Sequence, residues 1–217
     1  MLPHPDRIAA FLDAVVSRAA MAISIKLRLG LHDPSEIGPV IEVLNGFPLQ
    51  EVIVHPRTGD QMYKGRADPS AFERILPSCR HALVYNGDIV DEPGFRTLQG
   101  RFPKVRGWMI GRGAISDPFL PTALRGKNGD ASDRVRLLRK FHDSMLDHYL
   151  SYLHGPAHVL DKMAGLWGYW TDAIAGKKKL VKRIQKIRQL DRYRSCADEI
   201  FAEGAVGTGV RPGTVVR

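Results

Sequence analysis

Four short stretches hold most of the side chains able to do chemistry. They are Ser24-Ile25-Lys26-Leu27-Arg28-Leu29-Gly30, Val54-His55-Pro56-Arg57-Thr58, Tyr85-Asn86-Gly87-Asp88 and Met109-Ile110-Gly111-Arg112-Gly113. In the first, apolar and cationic residues alternate. As a strand it puts Ile25, Leu27 and Leu29 on one face and Lys26 and Arg28 on the other. A parallel sheet covered on both sides reads as uniformly apolar. Two cations on one face therefore point to a cavity, such as the mouth of a barrel; solvent exposure at a sheet edge is the other explanation. Gly111-Arg112-Gly113 leaves backbone N–H groups unobstructed, and beside a helix N-terminus such a turn suits a phosphate, with Arg112 adding a charge-assisted bond. A plain tight turn is the alternative. Asn86-Gly87-Asp88 can offer amide and backbone groups to the same ligand, or be simple turn chemistry.

The elements that must position these groups alternate strand and helix. Apolar runs at 23–29, 52–55, 82–86 and 108–110 start 25 to 30 residues apart, the length of one strand plus one helix in a parallel α/β fold. Helices are expected at 36–44, 69–76, 93–98 and 118–124, with Asp33, Asp68 and Asp117 each standing before a proline that opens one. A further helix is expected at 6–18, with Ile8, Phe11, Leu12, Val15 and Val16 on one face. In a (β/α) barrel the catalytic groups gather at the C-terminal ends of the strands. Polar functional residues stand at all four predicted ends.

Beyond a polar linker at 126–133 the period turns helical. Val135, Leu138, Phe141, Met145 and Tyr149 form one stripe; Val159, Met163, Leu166, Trp167, Trp170 and Ile174 form the next, with Gly176 as its stop. Leu180, Ile184 and Ile187 continue in a basic helix, and Cys196, Ile200 and Phe201 mark a fourth, giving a bundle over 134–204 and a flexible tail at 205–217. The net charge of +9 is concentrated here: residues 177–194 hold nine cations, Lys178, Lys179, Lys182, Arg183 and Lys186 among them, against Asp191 alone, so the segment carries +8. That suits a polyanionic partner, nucleic acid ahead of membrane, or else a solvated helix face.

Composition narrows the class. The 217 residues are 44% hydrophobic and 25% charged, as in an ordinary globular protein. No apolar run is long enough to span a bilayer, and the N-terminus lacks the pattern of a secretory signal. Cys79 and Cys196 lie far apart without a CxxC partner, so neither a disulfide framework nor a metal site is expected, and a reducing cytoplasm is the default.

The segments IKLRLG, VIVHPRTGDQMYKGRAD, LVYNGDI and GWMIGRGAISDPFL, in this order and at this spacing, resemble the tRNA-dihydrouridine synthases closely over residues 5–125. The helical part matches in general pattern. The resemblance implies an α/β chain: the last four strands of a (β/α)8 TIM-type barrel over 1–125, then an α-helical tRNA-binding bundle. It implies FMN as cofactor and NADPH as reductant. Lys26 corresponds to the family's flavin-contacting lysine near the pyrimidine side of the ring system, and His55 to its companion contact. Asn86, Gly87, Asp88, Gly111 and Arg112 match the segments that hold the ribityl chain and phosphate. Arg28 and Arg57 are expected to line the same pocket, with Arg57 near the incoming uridine and Tyr63 and Lys64 in a loop able to touch RNA. In the family, hydride passes from the flavin to C6 of a flipped-out uracil and a cysteine protonates C5.

The match departs from the family in two respects. Pro56 follows His55 where glycine is more usual. The family's barrel also begins with four further strands and an N-x-G-C-P-type loop carrying the cysteine, and no such sequence precedes Lys26. Neither Cys79 nor Cys196 is placed to replace it. The expectation is a C-terminal half with no catalytic residue of its own, inactive alone, with open strand edges that invite a missing half or self-association. Three other readings stay open: an FMN barrel oxidoreductase of the dihydropyrimidine or dihydroorotate dehydrogenase type, a non-catalytic tRNA-binding remnant, and a half-barrel homodimer of unrelated activity.

Overall fold

A computed structural model describes residues 3–127, 134–170, 174 and 178–202. The chain divides into two compact units, one of residues up to 89 together with 93–111, the other of 90–92 and the residues from 112 onward. Each is described by itself.

The first unit is a parallel four-stranded sheet in the order β1 (Ile23–Gly30), β2 (Leu49–Thr58), β3 (Ala82–Tyr85), β4 (Gly107–Trp108). Helices α1 (Pro5–Val16), α2 (Ile37–Leu44), α3 (Pro69–Ile75) and α4 (Glu92–Arg101) alternate with the strands. Two of the three aspartate-proline signals work as caps; Asp117 does not, since the helix after it starts at Leu120 with Phe119 at its N-cap and no side-chain cap bond. Asp33 closes a capping box with Glu36 over a 3-10 turn, and the Asp68 carboxylate accepts from the N–H groups of Ser70 and Ala71. One face of the sheet is apolar: Ile25, Val52 and Leu83 stand in one row, and Leu27, Val54, Tyr85 and Trp108 in the next. Val52, Val54 and Tyr85 are buried there, and Tyr85 sits edge-on to Phe72, with Phe102 beside both. In α1, Leu12 is buried, but Phe11 is 52% exposed, so the stripe expected for that helix is narrower.

β2 is longer than its apolar run because Pro56 to Thr58 continue the strand; Thr58 still pairs with Gly30. β4 is shorter than expected and ends at Trp108.

The second unit is helical: α5 (Arg112–Ser116), α6 (Leu120–Ala123), α7 (Arg134–Tyr152), α8 (Pro156–Trp170), α9 (Lys178–Ile184) and α10 (Leu190–Ala202). Leu138, Leu146, Val159, Met163, Trp167, Trp170, Val181, Ile184, Tyr193 and Ile200 form its core. Two expectations need correction. The segment 177–194 is not one helix, since α9 stops at Ile184 and α10 starts at Leu190. The expected stripe of α7 does face the core, with Leu138 buried and Phe141, Met145 and Tyr149 partly buried against it, but its fully buried positions are Leu138, His142 and Leu146, a histidine included. That histidine is tolerated because its ring is fully partnered. Trp167 Nε1 donates to Tyr193 Oη (2.8 Å), Tyr193 Oη donates to His142 Nε2 (2.7 Å), and His142 Nδ1 donates to Asp143 (2.8 Å). The expected stop at Gly176, Lys177, most of the 126–133 linker and the 205–217 tail lie outside the described residues.

Among the described residues no helix is long and apolar enough to cross a membrane, and no group of three or more His, Cys, Asp or Glu side chains is arranged to hold a metal.

Candidate functional site

The opposite face of the sheet carries the polar groups. Lys26 pairs across to Ile53 and on to Val84, and Arg28 to His55, so these share the face that Leu27, Val54 and Tyr85 do not. Arg57 follows His55 by two residues on the same side. Cations and imidazole thus stand toward the C-terminal ends of β1 and β2, the end where α/β sheets bind ligands.

Lys26 is exposed on this face. Partial enclosure, and then the neighbouring Arg28 cation, push its pKa below the ordinary lysine value. Arg28 Nη1 donates to the Thr58 carbonyl (2.7 Å), and its guanidinium lies 5.4 Å from the Tyr63 ring centroid. That ring also meets His55 edge-on at 6.5 Å. Residues 59–66 therefore fold back over the polar face, held by Arg28 and by Gln61, whose side-chain oxygen accepts from Thr58 N (2.8 Å).

His55 is a neutral ring with an assigned tautomer. Arg57 Nη1 lies 3.2 Å from His55 Nε2 and can only donate, so Nε2 accepts and the proton sits on Nδ1, which donates to the Asn86 carbonyl. Burial lowers the His55 pKa most, and the cations of Arg57, Arg28 and Lys26 add to it against the Asn86 hydrogen bond. Both ring nitrogens are engaged within the protein.

Arg57 is almost fully buried, at 2% exposure. Its Nη2 donates to the Gly65 carbonyl (2.8 Å) and to Asp88 Oδ2 (2.6 Å), and Asp88 Oδ2 also accepts from Ala67 N (2.8 Å). Its Nε, also buried, has no partner among the described residues. Asp88 takes this position at φ +40°, a backbone conformation that residues other than glycine uncommonly adopt, aspartate and asparagine more often than most.

The Asn86-Gly87-Asp88 turn is braced inward. Asn86 Nδ2 donates to the Met109 carbonyl (2.8 Å) and ties the end of β3 to the segment after β4. Gly87 has no room for a side chain: a Cβ would stand 2.9 Å from Ala67 Cβ and from Tyr85 Oη. Gly111, by contrast, has open space where a Cβ would be. Arg112 is the first residue of α5 and belongs to the second unit. Of the sequence-predicted residues, the sheet brings together Lys26, Arg28, His55, Arg57, Asn86 and Asp88. The joining elements that the sequence did not disclose are the Gly65 carbonyl, the Ala67 N–H and Gln61. Backbone acceptors and a glutamine in a turn leave no compositional trace.

Cys79 is half-buried ahead of β3, at the N-terminal end of the sheet away from these groups, with its Sγ 3.9 Å from the His81 carbonyl. Cys196 lies in the core of the helical unit, its sulfur facing Arg183 Nη2 at 3.3 Å.

In the basic segment Lys178, Lys179, Lys182, Arg183 and Lys186 are all exposed. Arg183 pairs with Glu199, and Arg188 stands 3.7 Å from Asp161. Lys179, Lys182, Lys186, Arg192 and Arg194 form no ion pair among the described residues.

Comparison with known proteins bears on the whole arrangement. Residues 1–203 match the family model for dihydrouridine synthase (Dus). A probable tRNA-dihydrouridine synthase of Rhodobacter capsulatus is 27% identical over 158 residues, covering 70% of this chain and 48% of that protein. The tRNA-dihydrouridine(16) synthase of Cupriavidus necator is 33% identical over 141 residues, 62% of this chain and 42% of its own length. The protein of that name from Ralstonia nicotianae is 35% identical over 126 residues, 56% of this chain and 36% of its own. The chain spans about half the length, or less, of these curated relatives. With a match running through both units, the chain belongs to the dihydrouridine synthase family.

Proposed function

We propose that this chain forms part of a flavin-dependent enzyme that reduces uridines of tRNA to dihydrouridine, its sheet serving as the last four strands of a (β/α)8 barrel and its helical unit binding tRNA. The observation that carries the reading is the cluster of Lys26, Arg28 and neutral His55 on one face of the sheet toward its C-terminal end.

The residues present fit an anionic ring system with a phosphate tail. FMN, with NADPH as its reductant, is the group proposed there, and it supplies hydride for the uracil ring. Lys26, exposed and poised beside a second cation, stabilises negative charge at the pyrimidine side of the flavin. His55 presents a neutral ring rather than a charge, fixed from both nitrogens. Arg57, Asn86, Gly87 and Asp88 act chiefly as a brace: they hold His55 and the 59–66 loop in place, and the unpartnered Arg57 Nε is one donor left for a ligand. Gly111 and Arg112 are assigned to the phosphate, the glycine because its backbone is open. Tyr63 and Lys64 are assigned to the RNA side of the same loop. The exposed lysines of 178–186 are assigned to tRNA phosphates. Cytoplasmic location follows from the tRNA substrate.

No cysteine is placed at the polar face to protonate a substrate base: Cys79 is at the other end of the sheet, and Cys196 is a core residue of the helical unit. The chain alone, given FMN, NADPH and tRNA lacking dihydrouridine, is therefore expected to yield no product. Co-expression with the part of the Rhodobacter capsulatus relative that this chain does not cover is expected to restore dihydrouridine. Product from the chain alone would overturn the assignment of the proton donor. No product from any such pairing, with tRNA bound, would favour a tRNA-binding protein without chemistry.

A further inference from the structure

Helices α7 and α10 of the second unit leave a cleft between them. They pair antiparallel, since Arg139 meets Asp198 (2.6 Å) while His142, further along α7, meets Tyr193, earlier in α10 (2.7 Å). At one end of the cleft the charges are spent on each other. Arg139 Nε donates to Asp143 Oδ2 (2.7 Å) and its Nη1 to Asp198 Oδ1 (2.6 Å), and the other Asp143 oxygen accepts from His142 Nδ1 (2.8 Å). Leu146 and Ala197, both buried, give the cleft an apolar floor.

The other end is open. Asp147 stands one turn beyond Asp143 on α7, and Arg194 stands toward the start of α10; both line the same cavity of about 270 Å³, and both are exposed. Neither forms an ion pair with the other or with any described residue. A carboxylate and a guanidinium that share a cavity without closing on each other leave an acceptor on one side and a forked donor on the other. The cavity as a whole holds two guanidinium groups against three carboxylates, so a phosphate gains little there. Its acidic groups are not arranged to hold a metal. What fits is a flat, uncharged group over the apolar floor, with donors on one edge and acceptors on the next.

We infer that this cleft reads an unpaired guanine of the bound RNA, with Arg194 donating to O6 and N7 and the Asp147 carboxylate accepting from N1–H and the N2 amino group. The inference rests on the tRNA reading and narrows it to one pocket and one base. Guanine alone among the standard bases offers two adjacent donors on one edge and two adjacent acceptors on the next. Adenine, cytosine and uracil each leave the carboxylate or the guanidinium short of a partner. Unpaired bases are the ones whose edges an RNA-binding surface can reach. Arg139, already held by Asp143 and Asp198, fixes the closed end and so sets the spacing of the two helices around the base.

The test uses the full chain at one low salt concentration, with unmodified tRNA and with short oligouridylates that carry a single guanosine, inosine, 7-deazaguanosine or adenosine. Inosine lacks the N2 amino group and 7-deazaguanosine lacks N7. The guanosine probe is expected to bind at least about fivefold tighter than each of the other three. In Asp147→Ala the difference between guanosine and inosine is expected to vanish, and in Arg194→Ala the difference between guanosine and 7-deazaguanosine. Both side chains are exposed and unpaired, so the variants keep their fold, which circular dichroism checks. Equal affinity of the unsubstituted chain for guanosine and inosine probes, or a difference that survives Asp147→Ala, would overturn the guanine pocket alone if tRNA is still bound. Failure of the unsubstituted chain to bind tRNA at low salt would overturn both this inference and the tRNA reading.

Discussion

Replacing Asp88 with alanine isolates the brace beneath the polar face. Arg57 is 2% exposed and Asp88 is its sole carboxylate partner among the described residues, at 2.6 Å. Removing one member of a buried ion pair leaves an uncompensated charge and costs about 3–5 kcal/mol. The Asp88 side chain is itself 32% exposed, so water can enter where the carboxylate was, and the lower end of that range applies. Loss of the acceptor for Ala67 N adds about 1 kcal/mol. The expected destabilisation of the first unit is thus about 3–4 kcal/mol. Hydrogen exchange of the β2 and β3 amides under increasing urea reads that unit by itself. Arg57→Met combined with Asp88→Ala is expected to recover much of the loss, since no charge then remains buried. A cost for Asp88→Ala below about 1 kcal/mol, the range of an exposed surface pair, would refute the reasoning.

The helical unit should lose stability in acid. Burial holds the His142 pKa below its unfolded value of 6.5, so the unfolded chain takes up the proton first. Stability is full above about pH 6.5 and falls as pH drops from there through the depressed folded value; melting followed by the fluorescence of Trp167 and Trp170 should show the decline, and His142→Phe should flatten it. Equal midpoints at pH 5 and 7.5 would contradict this account. Gly87→Ala forces a Cβ to within 2.9 Å of Ala67 Cβ and Tyr85 Oη and should cost about 1–3 kcal/mol in denaturant melts, whereas Gly111→Ala, with open space, should leave stability unchanged. Binding of tRNA to the full chain should fall linearly in log–log form as salt rises, by about 0.7–0.9 per phosphate contacted, measured by filter binding from 50 to 200 mM salt; salt-independent affinity would sink the phosphate assignment of the basic segment.

Much of the first unit was legible in the sequence because local signals and global fold agree there. Asp33 and Asp68 open helices as aspartate-proline pairs do, and the Lys26/Arg28 alternation marks a polar face that the register confirms. The extension of β2 through Pro56 to Thr58 was not legible, since a proline normally argues against a strand interior. The burial of Arg57 was equally hidden: its partners are a carbonyl at Gly65 and an aspartate 31 residues away, which only the fold brings together. His142 escaped because a helical pattern counts histidine as polar, while Tyr193 and Asp143 satisfy its ring inside the core. The division of 177–194 into two helices at 185–189 has no glycine or proline to announce it.

The most direct test of the account is a titration of the chain with FMN, followed by flavin fluorescence and repeated with Lys26→Met. The account predicts saturable binding that weakens about tenfold when the ammonium is removed, the worth of a charge-assisted contact. Absence of FMN binding, or binding indifferent to Lys26, would contradict it.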